Sequence, residues 1–105
     1  MIQYQIVIVN LDPTIGSEIK KTRPCIIISP DEMNEVLKTV IIAPITSTPK
    51  KYPSRIKITS GKTKGMIALD QLRTIDKKRI INIEKKVSIK TIVGIKEVLE
   101  EMLIK

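Results

Sequence analysis

The sequence predicts a single α+β domain, mostly β, built as a small SH3-like barrel with a C-terminal helix packed on it. Three observations carry that prediction. The chain has 105 residues, enough for one hydrophobic core, whereas two half-length units would each be too small to offset their own ordering entropy, so residues 1–105 read as one domain. Twenty-two residues are isoleucine, against two tyrosines and no Phe or Trp, and branched side chains, stiff at χ1, favour pleated strands. Five or six short apolar or alternating segments, separated by polar breaks rich in Pro and Gly, precede one segment with helical spacing.

Residues 4–10 (YQIVIVN) are apolar on both faces and read as a buried strand. Pro13 and Gly16 break it, and residues 11–22 show neither period, so they form a long polar loop of the kind that often carries function. Pro24 can begin a strand but not sit in its middle, so Cys25–Ser29 is the next buried strand and Arg23 stands at the loop edge. Ser29-Pro30-Asp31-Glu32 supplies a cap, a proline at the first helical position and acids in the first turn, giving a short helix through Val36. Residues 38–45 (KTVIIAPI) form a strand that ends in a polar stretch with two prolines. Arg55–Thr59 alternates, apolar in and basic out. Residues 60–65 turn the chain and 66–69 return beside it as a hairpin. The signals over 70–79 are mixed and name no element; 80–84 is a last strand. Ser88 caps a helix whose Ile92, Ile95, Val98, Leu99, Met102 and Leu103 share a face, and Gly94 within it, about 1 kcal/mol worse than Ala, suggests a close packing contact.

Composition removes whole classes of chemistry. With no histidine and Cys25 as the one cysteine, the usual zinc and iron sites, Ser-His-Asp and Cys-His nucleophiles and two-histidine nuclease chemistry are excluded, and no cofactor is expected. Catalysis must run on Arg, Lys, Asp, Glu, Ser, Thr, Tyr or backbone. A lone cysteine and a start without a basic, apolar leader point to the cytoplasm, and no apolar run approaches the ~20 residues of a bilayer span. Nineteen Lys and Arg against eleven acids give a net charge of +8, which attracts polyanions such as nucleic acid; a basic surface serving only solubility explains the charge about as well.

Four blocks, in this order, carry a resemblance: Asn10-Leu11-Asp12-Pro13-Thr14-Ile15-Gly16-Ser17-Glu18; Arg23-Pro24 leading into Ile26-Ile27-Ile28-Ser29-Pro30; Ala43-Pro44-Ile45-Thr46-Ser47; and Leu69-Asp70-Gln71-Leu72-Arg73-Thr74-Ile75-Asp76-Lys77-Lys78-Arg79. Together they resemble the MazF/PemK family of toxins from bacterial toxin–antitoxin pairs, over nearly the whole chain. The resemblance implies an SH3-like, CcdB- or MazF-like barrel, a homodimer whose interface forms the RNA groove, and a sequence-specific endoribonuclease (mRNA interferase) that works without metal. It also implies an acidic antitoxin as partner, laid over the basic groove. CcdB-like poisoning of a protein target such as DNA gyrase, without RNA cleavage, is the alternative on the same fold.

RNA carries a 2′-hydroxyl beside each phosphate, so a site can cleave a single strand by activating that internal nucleophile, leaving a 2′,3′-cyclic phosphate and a 5′-hydroxyl. Such a site needs help removing the 2′ proton, cationic donors for the charge growing on the phosphoryl oxygens, and a donor for the departing oxygen. Arg23 is a bidentate donor matching the family's RP arginine; otherwise it is a loop arginine paired with a carboxylate. Thr46 matches the family's phosphate-binding threonine, or caps a turn. Ser17 and Glu18 match loop positions near the scissile phosphate, with Glu18 a base or an orienter of Arg23. Asp70 matches an acid assisting proton transfer and Gln71 an RNA contact, though both could cap a turn. Tyr52 offers the one stacking platform or else rims the barrel mouth, and Lys50, Lys51, Arg55, Lys57, Lys62 and Lys64 make a basic region around the hairpin suited to phosphates or to solvent. The chain departs from relatives that place an arginine two positions before the acid, where it has Ala68, and from those with a histidine in the first loop.

Overall fold

A computed structural model describes residues 1–11, 22–47 and 52–104. Seven strands form one curled antiparallel sheet: β1 Gln5–Asn10, β2 Thr22–Ile27, β3 Thr39–Thr46, β4 Arg55–Ser60, β5 Thr63–Ala68, β6 Arg73–Asp76 and β7 Ile80–Lys86. The order is β4-β5-β3-β2-β1-β7, with β6 also paired to β3. Two helices complete it, α1 Asp31–Val36 and α2 Ile89–Leu99, the latter running into a wider turn over Glu100–Ile104. The mostly-β domain with a C-terminal helix is as the sequence predicts, and the barrel takes the form of a curled half-barrel sheet.

Alternation along the strands splits the apolar side chains between the two sheet faces. The concave face gathers Ile6, Ile26, Ala43, Ile45, Ile58, Ile67 and Leu69 under Ile95 of α2. The other face gathers Val7, Val9, Cys25, Ile27, Val40, Ile42 and Ile75. A strand whose two faces are both covered reads as a continuous apolar run, which is why 26–28 and 40–43 show no clean alternation in sequence.

Several boundaries differ from the sequence reading, each for a local reason. Pro24 lies inside β2, facing Ile8 of β1; it is tolerated because the ladder to β3 extends only from Ile27 to Cys25, leaving the proline at an edge. Pro30 is itself the N-cap of α1 and makes no side-chain cap bond. Ser29 instead donates to Asn34 Oδ1 and accepts from the Ile41 amide, tying α1 to β3 from a buried position. Ser88 caps α2 as expected, accepting from the Thr91 amide at 3.3 Å. Gly61 takes φ +57° as the first residue of the two-residue β4–β5 turn, a conformation that disfavours a Cβ. Met102 and Leu103, expected on the buried face of the helix, are exposed, because the chain leaves α-helical geometry at Glu100 and the 3.6-residue spacing no longer applies. No helix is long and apolar enough to cross a membrane among the described residues.

Candidate functional site

The sheet forks where β2 and β3 part. Their ladder ends at Cys25↔Pro44; beyond it β2 continues only with β1, through Val9↔Arg23 and Asn10↔Thr22, and β3 continues with β5, through Ile45↔Ile67 and Thr46↔Met66. Pro44 supplies no N–H to either neighbour, which suits the point of divergence. Arg23 and Thr46 each stand two residues past that last pair, on the two strands as they diverge. Alternation sends both side chains to the face of Cys25 and Pro44, away from the helix-covered core. Arg23 is exposed and Thr46 half-buried.

Two local features fix the mouth of the fork. The buried Cys25 thiol turns back to donate to the Arg23 carbonyl at 3.6 Å. Gly65 on β5 has φ +157°, and a Cβ there would lie 2.5 Å from the Thr46 carbonyl oxygen and 3.1 Å from Ile45 Cγ2. Only glycine lets β5 run this close to β3, and that approach sets where Thr46 stands.

The face is cationic. Arg73, opposite Ile42 on β6, alternates with Ile75 and so joins Arg23 on this side. Both guanidinium charges reach Cys25: burial pushes its thiol up to about 12, while Arg23 and Arg73 pull the other way. Among the described residues the one ion pair is Arg55–Asp70, so no described carboxylate offsets Arg23 or Arg73. Arg73 is a residue that sequence reasoning did not single out. Its signal was present in the alternation of Arg73-Thr74-Ile75-Asp76, hidden because a four-residue strand with one buried side chain falls below what periodicity resolves.

The remaining described candidates gather at the sheet edge. Asp70, in a single 3-10 turn over Leu69–Gln71, accepts from Arg55 Nε at 3.2 Å, from Arg55 Nη2 at 3.4 Å and from Ser54 Oγ at 2.9 Å. The Arg55 hydrogen bonds hold its carboxyl below the usual range. Arg55 in turn lies over the Tyr52 ring, 5.1 Å from its centroid. Its side chain is only 9 % exposed, so the guanidinium expected to meet phosphate is committed to Asp70 and Tyr52. Tyr52 itself is exposed, and so is Gln71. Because β5 lies between β4 and β3, this cluster sits about 10 Å from Thr46 along the sheet. The described members of the expected catalytic set therefore divide into Arg23 and Thr46 at the fork and Asp70 at the edge, where it pairs with Arg55, a residue expected to bind RNA. Ser17, Glu18, Lys50 and Lys51 lie outside the described residues.

Chemically, the fork offers an exposed bidentate cation and a half-buried hydroxyl pointing to one sheet face, with Arg73 on that same face, an arrangement suited to a polyanion whose charge increases during reaction. The edge cluster offers an aromatic ring held rigid by a neutralised arginine.

Residues 2–103 match the model of the PemK-like, MazF-like toxin of type II toxin–antitoxin systems. A Staphylococcus epidermidis protein, "Endoribonuclease MazF", is 40 % identical over 77 residues, covering 68 % of this chain and 64 % of the relative, so the match spans less than two thirds of that relative's length. Among solved structures, MazF from Deinococcus radiodurans superposes with a TM-score of 0.78 at 23 % identity, covering 98 % of this chain and 96 % of that one. An endoribonuclease in complex with its cognate antitoxin from a mycobacterial species gives 0.84 at 18 % identity, covering 98 % and 94 %. These likenesses establish the shared half-barrel fold, and the family match, which spans nearly every residue, shows that the chain belongs to the PemK/MazF toxin family.

Proposed function

We propose that this chain is a sequence-specific endoribonuclease that cleaves single-stranded mRNA without metal, by attack of the 2′-hydroxyl on the adjacent phosphate. The observation that supports the reading is that Arg23 and Thr46 each stand two residues past the last β2–β3 pair, Cys25↔Pro44, and by alternation point to the same sheet face, Arg23 exposed and Thr46 half-buried. Arg23 stabilises the charge that grows on the non-bridging phosphoryl oxygens, a task for which a fixed two-pronged donor is better shaped than lysine. The Thr46 hydroxyl donates to the same phosphate. Glu18 assists removal of the 2′ proton or orients Arg23, and Ser17 and Gln71 contact the RNA. Tyr52, braced by Arg55, stacks on a base, while Lys50 and Lys51 neutralise flanking phosphates. Asp70, already ionised and paired, acts by holding Arg55 rather than as a proton donor. The products are a 2′,3′-cyclic phosphate and a 5′-hydroxyl.

The family assignment and the curated relative's name support the endoribonuclease activity. The same assignment gives the gyrase-poison alternative no support. We further propose a homodimer in the cytoplasm, and an acidic antitoxin as partner on the basis of the solved antitoxin complexes of structurally similar proteins. Mapping cut ends on a long defined RNA, with and without EDTA, tests the reaction. Cleavage at a recurring short motif in chelator, with cyclic-phosphate ends, supports it; intact RNA at stoichiometric protein, or a requirement for a divalent ion, overturns it.

A further inference from the structure

We infer that Met66 and Lys57 extend the site, and that the RNA crosses the sheet from Arg23 over Thr46 and Met66 to Lys57. This rests on the endoribonuclease reading and adds a direction to it. Thr46 faces Met66 across the β3–β5 ladder, and Met66 faces Lys57 across β5–β4. The neighbours on either side of this row, Ile45, Ile67 and Ile56, and Ile58 beyond them, all point into the helix-covered core. Thr46, Met66 and Lys57 therefore point together to the opposite face, the one bearing Arg23. The row runs at right angles to the strands and has a defined order: hydroxyl, thioether, ammonium.

Each member has the exposure its task needs. Met66 is half-buried, presenting part of a flexible, polarisable side chain at the surface, and Lys57 is exposed. In a chain with two aromatic residues, one of them in the core, a methionine beside the reacting phosphate is an available surface against which the flanking base can pack, since thioethers make favourable contacts with aromatic rings. Lys57 stands two strands from Thr46, about 10 Å, which places its charge on a phosphate beyond the packed base. Among the described residues no carboxylate pairs with Lys57.

The test compares wild type, Lys57→Ala, Met66→Ser and Lys90→Ala, the last an exposed lysine on α2, on a short RNA containing the mapped motif. The row predicts that Lys57→Ala raises KM, leaves kcat within about twofold, and lowers the salt slope of binding by about 1. Met66→Ser raises KM about tenfold, and Lys90→Ala matches wild type. If wild type cleaves and Lys57→Ala has its KM and salt slope, the row is wrong and the endoribonuclease reading survives; if wild type cuts no RNA, both fall. Lys57 is exposed, so its variant decides the matter even if Met66→Ser fails to fold.

Discussion

Two arginines on this sheet live in opposite surroundings. Arg55 is gripped by Asp70, Ser54's neighbour in the same hydrogen-bond cluster, and lies against Tyr52 with 9 % of its side chain exposed. Arg23 stands at the mouth of the β2–β3 fork, exposed, with Arg73 on the same face and no described carboxylate in reach. A neutralised guanidinium braces neighbours, whereas an exposed one with no described carboxylate beside it is available to an incoming phosphate. The contrast assigns anion chemistry to the fork and support to the edge, although the residue type is the same.

Substitutions at the two arginines break the comparison most directly. Arg23→Ala is expected to lower single-turnover RNA cleavage by about 10²–10³-fold with an unchanged melting temperature, because its cost falls on transition-state charge and not on packing. Arg55→Ala should do the reverse, reducing cleavage by less than about tenfold while destabilising the fold by ~1–2 kcal/mol in urea titration, since it leaves Asp70 and Tyr52 without a partner. Equal loss of activity in the two variants would erase the distinction.

Gly65→Ala probes the fork from behind. A Cβ 2.5 Å from the Thr46 carbonyl forces β5 and β3 apart, and a cost of ~1–3 kcal/mol in denaturant unfolding should accompany a loss of cleavage. Gly94→Ala on α2 carries the opposite sign. Its Cβ would lie 3.5 Å from Ile56 Cδ1, an ordinary contact, so helix propensity should prevail and raise stability by ~0.5–1 kcal/mol.

The edge cluster has a pH signature. Asp70 titrates below its unfolded value, so its ion pair contributes stability above the ordinary carboxylate range and loses that contribution as pH falls through the depressed folded value. Asp70→Asn should thus be less stable than wild type at pH 7, by up to ~1 kcal/mol for a partly exposed pair, and the gap should close as pH falls below about 4. A gap that is constant with pH would assign the loss to Ser54 or to the turn. The smallest expected effect is at Cys25, whose buried thiol, pushed up to about 12, should resist thiol reagents at pH 8 until the protein unfolds.

Much of this architecture is legible in the sequence because isoleucine marks strands and polar Pro/Gly breaks mark their ends, as the runs 26–28 and 55–59 show. The helix is legible through Ser88 and the spacing of Ile92, Ile95, Val98 and Leu99. The two residues at the fork were legible only through the four-block resemblance, since neither Arg23 nor Thr46 stands out among polar loop residues. What the sequence hides is pairing across distance. The ladders that set Thr46 beside Met66 join residues twenty apart, and no local pattern encodes them. The commitment of Arg55 to Asp70 across fifteen residues was hidden for the same reason, and so was the proline inside β2, whose tolerance depends on where a neighbouring ladder stops.

The account's central claim is that Arg23 and Thr46 act on one phosphate. A double-mutant cycle of Arg23→Ala, Thr46→Val and the double variant, read by single-turnover cleavage of one defined RNA, tests it. Joint action predicts that the double variant is little slower than Arg23→Ala alone. Fully multiplicative losses, or wild-type rates in folded single variants, would contradict it.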